Sequence, residues 1–113
     1  MLSLTKEELA KHDGVSSCTI YISIKGKIYD CSSATDFYAP GKPYGVFAGK
    51  DVTRCLAKMM INDEEANADW ANLSEEHLTT LAEWIEKFKS KYPVVGNYVP
   101  DADFKQRGAK LQP

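Results

Sequence analysis

Along this chain the spacing of apolar residues changes several times, and each change marks an element. Leu4-Thr5-Lys6-Glu7-Glu8-Leu9 carries a helix start, with Thr5 as N-cap, Glu8 closing a capping box and Leu4 with Leu9 as hydrophobic staple. Asp13-Gly14 ends that helix. Thr19-Ile20-Tyr21-Ile22-Ser23-Ile24 alternates strictly, with Ile20, Ile22 and Ile24 on one face, which predicts a strand. Lys25-Gly26 then predicts a tight turn into a second strand over Lys27–Asp30. A hairpin alone is marginally stable, so it must pack against helices. Asp51 reads as the N-cap of a helix from Val52 to Met59, and the apolar pair Met60-Ile61 at its end is expected to be buried. Ser74 caps a further helix whose Leu78, Leu81, Ile85 and Phe88 recur at three- and four-residue steps, with Trp84 beside them. Tyr92-Pro93 stops it. Val94–Val99 adds a last strand or extended segment. From Pro100 the chain is polar and reads as a loosely held tail. The expectation is a small α+β domain over residues 1–99, with a short sheet and helices framing one pocket, followed by a tail over 100–113.

Composition narrows the function classes. The 113 residues make one domain with a single modest core. A net charge of −2 with no Lys/Arg run lacks the basic face that nucleic-acid binding needs, so no nucleic-acid partner is expected. No apolar run is long enough for a transmembrane segment, and the acidic N-terminus is not a signal peptide; the chain is expected to be cytoplasmic. Cys18, Cys31 and Cys55 fit no disulfide framework, zinc ribbon or covalent haem motif, and read as reduced, mostly buried thiols. Asn62 to His77 holds six acidic residues and no Lys or Arg, which suits a solvated face or a docking surface for a basic partner.

The candidate chemistry lies in Asp36–Asp51, DFYAPGKPYGVFAGKD. Two prolines and a glycine within Ala39-Pro40-Gly41-Lys42-Pro43 fix a stiff, irregular backbone between Tyr38 and Tyr44. Phe37 and Phe47 crowd the same segment. A rigid loop lined with rings and phenolic oxygens suits a flat apolar ligand that needs an oxygen donor. On the residues alone, a structural role for both tyrosines, with hydroxyls bonded to loop backbone, outweighs a ligand role. His12 and His77 read as exposed polar residues. There is no Ser/His/Asp or Cys/His pairing and no phosphate-cradling glycine loop, so an enzyme is not expected.

Five ordered segments carry a family resemblance: the Leu4–Leu9 helix start, Ile24–Asp30, Asp36–Tyr44, Gly45–Asp51 and Phe88–Gly96. Together they resemble the cytochrome b5-like haem/steroid-binding domain, specifically the membrane-associated progesterone receptor (MAPR) family, from about Leu4 to Val99. The resemblance implies a cytochrome b5-like fold and a site for ferric haem b, held non-covalently. Cytochrome b5 itself clamps iron between two histidines; this chain lacks the His-Pro-Gly-Gly sequence and has only two histidines. By the family pattern Tyr44 is the axial iron ligand instead. Tyr38 matches the tyrosine that donates toward the ligand or the haem edge, and Lys91 with Tyr92 matches the pair closing the other side. A single protein ligand leaves one haem face open, and in this family that face can stack on a second copy, giving a haem-mediated homodimer. The resemblance also implies a haem-thiolate monooxygenase of sterol metabolism as partner, sterol or steroid as a second ligand, and a place at the periphery of the endoplasmic reticulum membrane.

The chain departs from that pattern in places. Many relatives carry an N-terminal membrane anchor, for which this sequence shows no counterpart. Ala39 and Lys42 stand where relatives often have glycine or an acidic residue, and Lys42 alters the charge beside the pocket. Three functions follow for comparison: a tyrosinate haem protein, a steroid or lipid module using the same cleft without iron, and an adaptor working through the acidic stretch.

Overall fold

The computed structural model describes residues 1–113. The alternating isoleucines form strand β2 (Tyr21–Ile24), paired antiparallel with β3 (Lys27–Asp30). Lys25 and Gly26 have φ of 49° and 79°, as a type I′ hairpin turn requires. Strand β4 (Val94–Val99) pairs antiparallel with β3, with a register shift between Ile28 and Tyr29. Strand β1 (Leu2–Thr5) pairs parallel with β4, Leu2 opposite Gly96. The result is a mixed four-stranded sheet of order β1-β4-β3-β2. β1 is absent from the predicted elements because its strand character comes from a partner at the far end of the chain.

Consecutive residues Ile28 and Tyr29 point to opposite faces of the sheet and are both buried. Ile28 packs in a small core with Leu4, Leu9, Tyr98 and Phe104. Tyr29 joins the larger core of Ile20, Ile22, Ile24, Leu81 and Phe88. Helix α1 (Lys6–Ala10) lies on the first face and starts as expected: Glu8 N donates to Thr5 Oγ1 at 3.2 Å and Thr5 N to Glu8 Oε1 at 2.9 Å. The second face carries α2 (Thr35–Tyr38), a 3-10 turn at Gly45–Phe47, α3 (Thr53–Lys58) and α4 (Glu75–Lys91). Ser74 caps α4 by accepting from His77 N, and Leu81 and Phe88 bury the helix, while Leu78 stays exposed.

Four expectations are corrected. Asp51 is not the helix cap: Val52, at φ −119° and ψ 23°, intervenes and α3 starts at Thr53. The Asp51 carboxylate is instead fully buried between sheet and helix, accepting from Ser23 Oγ at 2.7 Å and from Thr53 Oγ1 at 2.7 Å. Met60 and Ile61 are not buried; they are 37% and 53% exposed. The reason is Met59, whose left-handed φ of 56° ends α3 and swings the chain outward. The loosely held tail is a docked helix, α5 (Phe104–Lys110), with Phe104 wedged against Trp70 and Tyr98 at ring distances of 5.7 and 5.8 Å. Its end is held by two cations of α3, as Arg54 Nη2 and Lys58 Nζ donate to Gln112 O at 2.7 and 2.6 Å. Finally, the acidic stretch is not one solvated face. Glu65 is buried and pairs with Arg54 and Lys58, while Asp63 pairs with Lys50.

Candidate functional site: an aromatic cleft between the tyrosine loop, α3 and α4

Tyr38 is the last residue of α2, and the stiff loop after it folds straight back. Tyr44 N donates to Phe37 O at 2.9 Å and Lys42 N to Ala39 O at 3.0 Å, so Tyr44 returns beside Tyr38. The closure depends on Gly45, where a Cβ would lie only 2.6 Å from Ala39 O. The rings of Tyr38 and Tyr44 are then 6.2 Å apart, and Tyr92, just beyond α4, reaches 6.4 Å from Tyr38. Phe47 stacks on Tyr44 at 5.8 Å, and Phe88 sits 5.3 Å from Tyr92. Three of the four expected site residues therefore share one aromatic cluster. The fourth, Lys91, is the last residue of α4, exposed and outside the cavity linings.

Burial separates the phenols. Tyr38 is nearly enclosed, and burial, reinforced by Tyr92, Cys31 and Tyr44, pushes its phenol well above the ordinary range. Burial also raises Tyr92. Both thus stay neutral and keep an O–H to donate. Tyr44 is half-buried and lines two apolar hollows. The larger, about 130 Å³, is walled by Tyr44, Phe47, Leu56, Met59, Met60 and Trp84 among others. The smaller, about 10 Å³, leads from it to Tyr38. Cys55 also faces the larger hollow, but burial raises its thiol to about 12, so it is no thiolate donor at neutral pH.

The histidines stand elsewhere and are less exposed than expected. His12 is half-buried, stacked 4.3 Å from the Tyr21 ring and hydrogen-bonded through Nδ1 to Thr19 Oγ1. His77 is half-buried too, its Nδ1 shielded without a partner. Neither lines the cleft, and no group of three His, Cys, Asp or Glu side chains is placed to hold a metal ion.

The donor set fits a flat, iron-centred macrocycle: one accessible phenol as a hard oxygen ligand, two neutral phenols behind it and apolar walls. The main hollow is far smaller than the roughly 300 Å³ of an ordinary ligand pocket, so a flat ligand would lie against this surface partly uncovered. Sequence reasoning missed Cys55, Leu56 and Met59 as wall residues, because α3 is buried nearly all round and shows no amphipathic stripe. The available signal is the exposed apolar run Met59-Met60-Ile61, of which Met60 and Ile61 were expected in the core rather than at the rim.

Comparison with known proteins gives the family and the fold. The family profile described as "Cytochrome b5-like Heme/Steroid binding domain" matches residues 5–99. The chain is 40% identical over 99 residues to the Arabidopsis thaliana protein named probable steroid-binding protein 3, covering 87% of this chain and 99% of that one. It is 46% identical over 94 residues to membrane steroid-binding protein 2 of the same plant, covering 82% of this chain and 40% of that protein. Identity to membrane-associated progesterone receptor component 2 of Rattus norvegicus is 33% over 93 residues, covering 80% of this chain and 43% of that protein. The chain thus spans about two fifths of these last two relatives. A solved Arabidopsis thaliana protein with a cytochrome b5-like fold superposes with a TM-score of 0.81 at 40% identity, over 88% of this chain and 92% of that one. With fold, aromatic cleft and relatives in agreement, the chain belongs to the cytochrome b5-like haem/steroid-binding domain family, in its MAPR branch.

Proposed function

We propose that this chain binds ferric haem b non-covalently in the aromatic cleft, with Tyr44 as axial ligand, and serves haem handling or the support of sterol-metabolising monooxygenases. The observation that carries the reading is the position of Tyr44: it alone of the three clustered tyrosines lines the main hollow. Bound haem, held by Tyr44, would supply a ferric Lewis-acidic centre. A phenolate oxygen is a hard donor and favours Fe(III) over Fe(II), so reduction should weaken the complex. Tyr38 and Tyr92, held neutral, can donate to the ligand oxygen or the haem edge. Lys91 is free to meet a propionate from the rim. Purified protein mixed with haemin should give a ferric high-spin absorption spectrum that Tyr44→Phe abolishes. An unchanged spectrum in that variant would sink the assignment.

A second reading, a steroid module without iron, is favoured by the largely apolar lining of the hollow beside Tyr44. It predicts saturable sterol binding to haem-free protein, retained in Tyr44→Phe. Partner docking through the acidic stretch falls to Glu64, Glu75 and Glu76, which are exposed, since Glu65 is turned inward. Peripheral membrane association remains part of the proposal; no helix is long and apolar enough to cross a membrane.

A further inference from the structure

The apolar hollow has a polar annex. On α4, Thr80, Glu83, Trp84 and Lys87 fall at steps of three and four, so they share one face. With Met59 they line a second hollow of about 300 Å³. Met59 and Trp84 also line the apolar hollow, so the two are lobes of one groove with Trp84 as the shared wall. The apolar lobe alone, about 130 Å³, is too small for a fused-ring ligand, and the annex, an open hollow of about 300 Å³, extends it along α4.

The annex adds charged and hydroxyl groups to a lobe whose lining offers little polar surface beyond the Tyr44 phenol. Lys87 Nζ stands 4.8 Å from the centre of the Trp84 ring, which draws the ammonium over the indole and into the groove mouth. Thr80 adds a hydroxyl one turn below. Glu83, four residues before Lys87, balances its charge. A balanced donor–acceptor set suits a neutral carbonyl or hydroxyl oxygen better than a carboxylate, which Glu83 would repel.

We propose that Thr80, Glu83 and Lys87 form an oxygen-reading subsite: a flat, fused-ring ligand lies over Trp84 with its apolar body toward Tyr44 and its neutral oxygen in the annex, where Lys87 donates to it. This rests on the cleft being the ligand site, and not on iron. Lys87 is thereby a specificity-determining residue, in contrast to Lys91, which lies outside the groove.

The test is equilibrium dialysis of the haem-free full chain with a radiolabelled 3-keto steroid and its 3-deoxy analogue. Wild type should prefer the ketone by about three- to tenfold, as expected for one charge-assisted hydrogen bond in a partly wet groove. Lys87→Met, which keeps the stem over Trp84, should erase the preference by weakening only the ketone; Lys87→Arg should retain it, and Lys89→Met, on the same helix but outside the groove, should leave it unchanged. Both positions are exposed, so folding is not at stake. Equal binding of the two steroids by wild type, an undiminished preference in Lys87→Met, or no binding of either steroid would overturn the subsite. The haemin spectrum of wild type and Tyr44→Phe, read in parallel, decides the haem proposal separately. A haemin-binding protein without steroid discrimination loses the subsite alone, and one that discriminates steroids without binding haemin loses the iron alone.

Discussion

Asp51 has no contact with solvent, yet its carboxylate is met by neutral donors, Ser23 Oγ, Thr53 Oγ1 and the backbone N–H groups of Thr53 and Gly26. Burial outweighs those hydrogen bonds and raises its pKa to about 6 from an ordinary value near 3.8. The folded state therefore binds a proton more tightly than the unfolded chain. Its contribution is most favourable below about pH 4, declines as pH rises through 4 to 6, and stays low above that. Urea denaturation at stepped pH should show this decline, up to about 3 kcal/mol from a two-unit displacement, and Asp51→Asn should flatten it. Met59 poses a different trade. Its left-handed backbone costs about 1 kcal/mol relative to a residue without Cβ, but the side chain walls both lobes of the groove. Met59→Gly should raise the urea midpoint and, in the same protein, weaken haemin or steroid binding.

At the scale of elements, the first helix and the last make an instructive pair. α1 is declared locally: Thr5 and Glu8 satisfy each other's backbone donors, and Thr5→Ala should cost about 1 kcal/mol by denaturant titration. α5 is declared by nothing local, and its docking is a matter of fit. A Cβ on Gly108 would sit 2.2 Å from Asp69 O, so the helix approaches the segment after α3 at backbone distance. Gly108→Ala should cost about 1–3 kcal/mol, and hydrogen exchange should show residues 104–110 losing protection before the sheet does. Tyr44 and its loop fall between the two cases. Their stiffness is written in Pro40, Gly41 and Pro43, whereas the pairing of Tyr38 with Tyr92 needs α4 to end where it does.

Across the whole molecule, the sheet separates two cores, and the cleft belongs to the larger. α3 and its C-cap face two ways: Leu56 and Met59 line the apolar hollow of the cleft, while Arg54, fully buried, holds Glu65, Asp69 O and Gln112 O. Removing residues 100–113 would strip Phe104 from the smaller core and leave Arg54 with an unmet donor. That truncation should lower stability by at least about 3 kcal/mol, read as a fall in Tm of roughly 10 °C or more. Added haemin should recover part of the loss if it binds only the folded chain. Sedimentation with and without haemin tests the haem-mediated dimer that the family resemblance implies, and Tyr44→Phe should stay monomeric in both.

What the sequence determined by itself is what short-range physics controls. The period-two isoleucines, the turn at Lys25-Gly26, the capping residues Thr5 and Ser74 and the proline-stiffened loop each depend on a few neighbouring residues. Segment order across the chain was enough to carry the family and, with it, the tyrosines that cluster in the cleft. Tertiary structure alone decided what depends on distant partners. β1 is a strand because β4 accepts it, and Glu65 is buried because Arg54 and Lys58 compensate its charge. Met60 and Ile61 are rim rather than core because one backbone angle at Met59 turns them outward. Hydropathy reports the cost of exposing a residue, and only the assembled fold shows whether a neighbour is there to remove it from water.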